Sequence, residues 1–508
     1  PEDVFSPGSP TEQEKITVNQ YVNVMGDHAS IARRIAAEGT VLLKNEGVLP
    51  LPHNSSALSN QTILPGGPLR IAILGEDAGP GEGPNHCPDR GCNQGTLASG
   101  WGSGAVEFPY LVTPVEALTK KWEGIDGVKV SAYLTNKPPF AEKPEILQDA
   151  QLCIVFANAD SGEGFKAWES VKGDRPDLLL QKGGDDLIIQ VAKGCHGDVI
   201  VIIHTVGPVI MEKWIDLPNI KAVLLANLPG QESGNALADV VFGDVNPSGK
   251  LPWTIGKSLD DYGEGAKIMY IPNGVVPQQD FEEGLYVDYR YFDKYGIEPR
   301  FEFGFGLSYT TFEFSDCVVT GLKEKTAQPA PRPEDFATPP EYDTTIPNAE
   351  EALFPEGPRR LEKYIYPYLD TIDDIVSDPY PYPDGYNVKQ PLSGAGGDEG
   401  GNPDLWDVYV TVSVNVTNTG GRAGQVVPQL YLGYPGTGLS VEFPVKVLRG
   451  FDKIFLGEGE SRMVRFNLTR RDLSYWDVQT QNWHIAVEGN YRFMIGQSSK
   501  DLPVSGTW

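Results

Sequence analysis

Short runs of apolar residues, of β-strand length, recur along the first 300 positions of the chain. Four of these runs are almost continuously aliphatic or aromatic, at residues 70–74, 152–156, 199–203 and 222–225. Such continuous runs are typical of strands that are buried on both faces of a parallel sheet. Segments 30–39, 185–195 and 231–242 place apolar residues three and four positions apart, which predicts helices around those strands. The pattern therefore predicts an α/β sandwich domain over residues 21–300.

The pattern changes after residue 309 to short stretches in which apolar and polar residues alternate. Valines occupy every second position from 408 to 416, which predicts a strand with one buried face. The alternation continues to residue 469 and returns at 491–495, with Gly, Asn and Pro at the turns. This is typical of a fibronectin type III-like or immunoglobulin-like β-sandwich. We assign residues 301–324 to a connection and the first strand, and residues 405–508 to the rest of this domain.

A long insertion at residues 325–404 separates that first strand from the others. It contains 14 of the 42 prolines of the chain and two clusters of tyrosines. Proline-rich segments are often disordered, but exposed aromatic rings favour packing over solvation. We therefore expect an ordered arm, with disorder as the alternative. Residues 1–20 are polar and proline-containing, which predicts a linker.

The size and charge of the chain restrict its class. A length of 508 residues exceeds what one hydrophobic core supports, so at least two domains are expected. The formal net charge of -28 disfavours a nucleic acid partner, because phosphate binding relies on clustered Lys and Arg. No apolar run approaches the ~18 residues of a membrane-spanning helix, so no membrane partner is expected. The chain begins at Pro1 without a leader, which predicts a processed or truncated product.

The chain contains five cysteines, two of which are close in sequence. Cys87 and Cys92 lie in a loop rich in Pro, Gly and Asn, where a disulfide is favoured over a zinc knuckle because no second close cysteine pair accompanies them. The sequence leaves the pairing of Cys153, Cys195 and Cys317 open. We predict no metal and no cofactor.

Four Asn-x-Ser/Thr sequons occur, at Asn54, Asn60, Asn415 and Asn467. The alternation of the surrounding residues places Asn415 and Asn467 on the outward faces of predicted strands, where a glycan could be attached. The sequons and the predicted disulfide together indicate a secreted, extracellular protein.

Candidate chemistry lies first in the loop that follows the apolar run 152–156. There Gly162 and Gly164 flank Glu163, and Phe165 follows. Ligands of open α/β sheets bind at the carboxyl ends of the strands, and a phenyl ring can stack on a sugar. A solvated surface turn is the alternative for these residues.

Two other glycine-rich loops fit familiar nucleotide or hydrolase sites poorly. Residues 75–81 lack the Gly-x-Gly-x-x-Gly spacing of a dinucleotide site, and Pro80 interrupts them. Residues 100–104 place Ser103 between two glycines, but no buried strand precedes them, as a serine hydrolase elbow would require.

Five motifs occur along the chain in the order found in one known family. They are CPDRGC at 87–92, GWGSG at 100–104, DSGEGF at 160–165, LPGQESGN at 228–235 and FGFGLSY at 303–309. Together they resemble the fungal β-glucosidases of glycoside hydrolase family 3. The resemblance covers the chain from about residue 18 to its end.

The resemblance implies roles for three residues. Glu163 would be the general acid/base, Ser103 would hydrogen-bond the nonreducing glucose, and Phe165 would form an aromatic wall of the next subsite. Relatives often have Tyr at the position of Phe165, so a phenolic hydrogen bond is not expected here. The implied substrates are β-glucosides and cello-oligosaccharides.

The resemblance also implies a partner. Family members carry the nucleophilic Asp in a Ser-Asp-Trp motif on an N-terminal (β/α) barrel domain, and no Ser-Asp-Trp occurs in this chain. We therefore expect residues 1–20 to be a linker from that barrel domain, which would work as the partner fragment. A noncatalytic carbohydrate-binding or interaction fragment is the alternative.

Overall fold

The computed structural model describes residues 24–52, 69–81, 94–100, 106, 108–161, 175–266, 273–332, 401–436 and 441–508. The first part of the chain forms a six-stranded sheet with helices on both sides, as predicted. Its strands are β1 (Val41–Asn45), β2 (Leu69–Leu74), β3 (Val128–Tyr133), β4 (Leu152–Ala159), β5 (Asp198–Thr205) and β6 (Ile220–Leu225). Their spatial order is β1-β6-β5-β4-β2-β3. Strands β2 to β6 run parallel to one another, whereas β1 is antiparallel to β6.

The helices of this domain are α1 (His28–Gly39), α2 (Pro114–Trp122), α3 (Glu145–Gln148), α4 (Gly184–Gly194) and α5 (Ser233–Val241). Helices α1, α2 and α5 contribute side chains to the core on one face of the sheet, and α3 and α4 to the core on the other. Helix α2 begins with a capping box between Thr113 and Glu116 and has Pro114 at its first position, which fixes its start. The three layers confirm the predicted α/β sandwich.

A connecting segment leads from the sandwich to the second domain and contains helix α6 (Tyr289–Tyr295). Its last part returns to the first domain, where Leu307 N–H donates to Leu42 O. At Gly304, φ is 81°, and an added Cβ would lie 2.2 Å from Gln429 Oε1. Only glycine fits here, because a larger side chain would collide with the second domain at a backbone angle that it rarely adopts.

The second domain is a β-sandwich whose strands pack around one apolar core. One sheet contains β7 (Phe312–Gly321), β8 (Val408–Asn418) and β13 (Ser461–Thr469). The other contains β10 (Gln429–Gly433), β11 (Val447–Phe451), β16 (Arg492–Gly496) and β17 (Val504–Thr507). Two small antiparallel pairs are β9 (Gly424–Val426) with β12 (Ile454–Leu456), and β14 (Tyr475–Asp477) with β15 (Asn482–His484). A one-turn helix, α7 (Arg470–Leu473), follows β13.

The long insertion enters between β7 and β8, as the sequence predicts, and most of it lies outside the described residues. Its two described ends lie side by side, because Asn402 Nδ2 donates to Ala330 O at 2.8 Å and Ala330 N donates to Asp404 Oδ2 at 2.8 Å. The insertion therefore leaves and rejoins the domain at one place. The predicted order of the arm itself stays a prediction.

Candidate active site

The carboxyl ends of β2, β4 and β5 meet at one edge of the first sheet, and the loops that carry the candidate residues start there. A tight turn follows β2. Its first residue, Gly75, has a φ of 108°, and an added Cβ would lie 2.2 Å from Phe156 O of β4. Glycine thus allows this turn to pass directly over β4. The turn delivers Glu76 and Asp77 to the sheet edge.

The three residues with predicted roles in the reaction, Glu163, Ser103 and Phe165, lie outside the described residues. So do Cys87, Cys92, Asn54 and Asn60. Their roles stay predictions. The residues on either side of these segments are described, and they define where each segment leaves the sheet and where it returns.

The segment that contains Glu163 begins after β4 and ends at Arg175. Gln181 holds its start by two hydrogen bonds: Asp160 N donates to Gln181 Oε1 at 2.8 Å, and Gln181 Nε2 donates to Asp160 O at 2.7 Å. The two ends of the segment meet where Arg175 N donates to Ser161 Oγ at 3.3 Å. The segment therefore leaves and rejoins the described structure at one place, at the carboxyl end of β4.

The segment that contains Ser103 leaves the sheet beside that base. An added Cβ at Gly100 would lie 3.5 Å from Asp160 Oδ1 and 3.6 Å from Ser161 O. The chain therefore departs toward Ser103 beside the residues that lead to Glu163, with room for little more than a methyl group between them. The structure brings together the bases of the two loops that the sequence singled out.

The loop that contains Cys87 and Cys92 also has a narrow base. An added Cβ at Gly81 would lie 1.8 Å from Gln94 O, and one at Gly95, where φ is 66°, would lie 2.3 Å from Pro80 O. Two glycines therefore let the backbone cross itself at this point. The predicted disulfide would lie in the loop beyond this crossing.

Beneath these loops lies a buried polar network centred on Asp77. Its carboxylate accepts hydrogen bonds from His204 Nδ1 at 2.6 Å, Asn158 Nδ2 at 3.1 Å and Leu97 N at 2.8 Å. On the other side of the imidazole ring, Ser233 Oγ lies 3.5 Å from Nε2 of His204. Burial raises the pKa of Asp77, and the three donors oppose that shift. No pattern in the sequence predicted this network.

The order Ser233, His204, Asp77 has the connectivity of a hydrolytic triad, but the exposure of the side chains excludes that role. The three residues are 1%, 0% and 1% exposed. A nucleophile must reach a substrate, and no substrate reaches a hydroxyl at this depth. The network is therefore structural, and it holds the turn after β2 to the ends of β4 and β5.

Two cationic side chains lie near the base of the loop that contains Glu163. Lys182 Nζ lies 2.7 Å from Glu76 Oε1, which ties the start of α4 to the turn after β2. Burial lowers the pKa of Arg175, and the nearby acidic groups, first among them the carboxylate of Asp177, partly offset this. Among the described residues, no group of three His, Cys, Asp or Glu side chains could hold a metal ion.

A disulfide joins Cys153 in β4 to Cys195 at the end of α4, with a Cα–Cα distance of 6.5 Å. Both residues are buried. The sequence left this pairing open, and Cys317 is a free thiol. The disulfide ties the strand that leads to Glu163 to the helix packed on it.

The two described sequons lie on neighbouring strands of the second domain. Asn467 on β13 is exposed and Asn415 on β8 is partly exposed, and both face away from the valine core as predicted. Their glycosylation stays a prediction.

Comparisons with known proteins agree with this architecture of an α/β sandwich followed by a fibronectin type III-like domain. Residues 40–309 match the glycosyl hydrolase family 3 C-terminal domain, and residues 426–499 match the fibronectin type III-like domain. The chain therefore belongs to glycoside hydrolase family 3.

Individual relatives are fungal proteins. The chain is 52% identical to the probable beta-glucosidase E of Neosartorya fischeri, over 97% of this chain and 49% of that protein. It is 53% identical to the probable beta-glucosidase E of Aspergillus fumigatus, over 97% of this chain and 47% of that protein. The chain spans about half the length of the curated relatives it matches.

Solved structures give the same result. A glycoside hydrolase family 3 beta-glucosidase from Neurospora crassa matches with a TM-score of 0.78 and 40% identity, over 97% of this chain and 57% of that one. The Chaetomium thermophilum beta-glucosidase matches with a TM-score of 0.79 and 41% identity, over 97% of this chain and 57% of that one.

None of the described helices is long and apolar enough to cross a membrane.

Proposed function

We propose that this chain supplies the acid/base half of the active site of a secreted, retaining β-glucosidase. Glu163 is the general acid/base, and Ser103 and Phe165 bind the sugar. The observation that carries the proposal is the position of Gly100 beside Asp160 and Ser161, because both candidate loops then start from one place at the carboxyl edge of the sheet. The names of the relatives support β-glucosides as the substrate class.

The reaction requires a second carboxylate. Retaining glycosidases use two carboxyl groups about 5 to 5.5 Å apart, one that protonates the leaving oxygen and one that attacks the anomeric carbon. We assign the attacking Asp to an N-terminal barrel domain, which the relatives' additional length can accommodate. The nucleophile's negative charge would also favour the protonated form of Glu163, as a general acid requires.

The exposed surface of the connecting segment supports a partner domain. Val275, Val276 and Phe281 are largely exposed to solvent, although Asn273 and Gln278 hold this part of the backbone by two hydrogen bonds. Consecutive exposed apolar side chains usually mark a surface that another domain covers. We assign the N-terminal barrel domain as the partner that covers them.

Secretion is supported by the disulfide between Cys153 and Cys195, because disulfides persist in oxidising compartments. The outward faces of Asn415 and Asn467 are compatible with glycans. Glycopeptide mass mapping of protein secreted by a fungal host should find both asparagines occupied. Two unmodified asparagines would contradict the assignment of these sites.

The test of the catalytic role is Glu163→Ala in the protein that also contains the barrel domain. Turnover of cellobiose should fall by about 100-fold or more, while glycosylation by activated aryl glucosides should fall less, since these need little protonation. Added azide should restore part of the second step and yield β-glucosyl azide. Asp177→Asn, a change of an exposed carboxylate near the loop end, is the control and should leave both rates unchanged.

Near-wild-type turnover of cellobiose by Glu163→Ala would overturn the assignment. Full activity of the present chain by itself would do the same. An intact-mass measurement of native material, which should detect the barrel domain as part of the protein or as a second polypeptide, separates this proposal from a noncatalytic binding fragment.

A further inference from the structure

The buried network below the candidate loops contacts the base of each loop. Asp77 bonds Leu97 N, six residues before Ser103, and Asn158 Nδ2, five residues before Glu163. One side chain thus fixes the departure points of the two loops relative to each other.

The network continues to the same loops by a second route. His204 reaches from the end of β5 to Asp77, and Ser233 at the start of α5 lies between His204 and Thr96. The distance from Ser233 Oγ to Thr96 Oγ1 is 3.3 Å. The residues that lead to Ser103 are therefore held at Leu97 through Asp77 and at Thr96 through Ser233.

The burial of these groups calls for a reason beyond stability. Removing a carboxylate and an imidazole from water is costly, and apolar residues of similar volume would often fill such a site without loss of stability. A directional network, by contrast, fixes the angles and distances of the backbone segments that it bonds. Catalytic groups need positions that are correct to a fraction of an ångström.

We propose that Asp77 and His204 are positioning residues of the active site, which set the placement of the Glu163 loop relative to the Ser103 loop. Neither residue touches the substrate. The inference rests on the proposed role of Glu163. Its consequence is that loss of the network impairs proton transfer to the leaving group more than it impairs substrate binding.

The test uses His204→Phe and His204→Asn in the protein that contains the barrel domain. Phe keeps the ring that lies against Phe156 but removes the donor to Asp77, whereas Asn retains an amide donor near the position of Nδ1. His204→Phe should lower kcat for substrates with poor leaving groups by about 10- to 100-fold and should change KM by less than about threefold. His204→Asn should recover most of that loss.

A milder variant covers the case in which His204→Phe does not fold. Ser233→Ala removes one hydroxyl from the network and should lower kcat for poor leaving groups by about two- to fivefold. The control is Asp239→Asn on the same helix, which breaks a partly buried ion pair with Arg33 (2.6 Å) that is separate from the hydrogen bonds of Asp77, His204 and Ser233. It should lower stability without altering the dependence of kcat on the leaving group.

The outcomes separate the two proposals. If Glu163→Ala steepens the dependence on the leaving group but His204→Phe and Ser233→Ala do not, the positioning role is wrong. If Asp239→Asn steepens the dependence of kcat on the leaving group equally, the change reflects a general loss of stability, and the positioning role is also wrong. If Glu163→Ala itself has no such effect, the proposed function fails and the positioning role fails with it.

Discussion

Gln181 and Asp160 form a reciprocal pair in which the side-chain amide of Gln181 bonds both the N–H and the C=O of Asp160. Asp160 lies one residue beyond the end of β4, so no neighbouring strand pairs with its backbone there. The side-chain amide of Gln181 bonds these backbone groups instead. Asp160 is buried, so its backbone groups need these partners. Gln181 thereby fixes the first residue of the loop that contains Glu163.

Gln181→Ala should lower the free energy of unfolding by about 1 to 3 kcal/mol, because it leaves two buried backbone groups without these partners. Proteolysis within residues 162–174 should become faster. Gln151→Ala is the control, since its side chain accepts from Arg70 N at 2.6 Å at the opposite end of the sheet. Urea unfolding and mass mapping of fragments measure both effects. Equal proteolysis of both variants would contradict the role of Gln181.

The sequence predicted the interior strands of the first sheet because they are continuously apolar, and it missed the edge strand β3. None of the six residues of β3 is fully buried, and its side chains do not form a continuous apolar run. The resemblance of the motifs predicted the family, and the valine alternation predicted β8. Patterns of this kind depend on burial, and burial is strongest at the centre of a sheet.

The buried network could not be predicted from the sequence by the same reasoning. Asp77 and His204 are 127 positions apart, and only the strand order β5-β4-β2 brings them within hydrogen-bond distance. Cys153 and Cys195 meet because α4 packs on β4, which the spacing of the cysteines does not reveal. A signal was present, since His204 directly follows a buried aliphatic run and Asp77 lies in a glycine-rich loop.

Removal of the disulfide by Cys153→Ala with Cys195→Ala should lower the free energy of unfolding by about 4 kcal/mol, from the entropy of a closed loop of this length. The sequence separation is 42 residues. Cys317→Ala, which removes the free thiol, should have a smaller effect. Urea unfolding without reductant measures the difference. Equal stability of the double variant and the parent would contradict a stabilising role for the pair.

Cys87 and Cys92 should form a second disulfide in the loop that precedes Ser103. A crosslink there would restrict a segment that is rich in glycine and would favour a fixed position for the serine hydroxyl. Peptide mapping of unreduced protein should recover residues 87–92 without free thiols. Alkylation of both cysteines in native protein would show the prediction to be wrong.

Lys250 should make stability depend on pH between about 8 and 10. Burial lowers its pKa from the usual 10.5 to about 8, although Nζ donates to Gly306 O at 2.7 Å. The unfolded chain therefore binds more protons in this interval, so the contribution of Lys250 to the free energy of unfolding rises as pH increases through it. Below pH 8 Lys250 is charged in both the folded and the unfolded chain, and its destabilising contribution no longer changes with pH.

Lys250→Met should accordingly stabilise the protein at pH 6 by about 2 kcal/mol. This free energy is smaller than the change in the pKa of Lys250 alone would give, because the residue is only half-buried. The gain should shrink as pH rises to 9.5. Lys129→Met on the exposed edge strand is the control and should show no such trend. Urea unfolding at pH 6, 8 and 9.5 measures the gain in stability. A gain that grows with pH would contradict the predicted direction of the pH dependence.

Arg470 should hold the start of the long insertion in place, because its side chain is fully buried where the insertion begins. Its guanidinium donates to Thr326 O at 2.6 Å, Thr326 Oγ1 at 2.8 Å and Ala327 O at 3.1 Å. A planar group with several donors suits this arrangement, which a lysine can satisfy only in part. The start of the insertion is therefore anchored to α7.

Arg470→Met should lower the free energy of unfolding by about 3 kcal/mol, since the carbonyls of Thr326 and Ala327 lose a charged donor. Arg470→Lys should lose less. If the insertion is an ordered arm that packs on other domains, proteolysis within residues 333–400 should be slow in the parent protein and fast in Arg470→Met under conditions where both remain folded. Rapid cleavage throughout these residues in the parent would show that the arm is not ordered by packing.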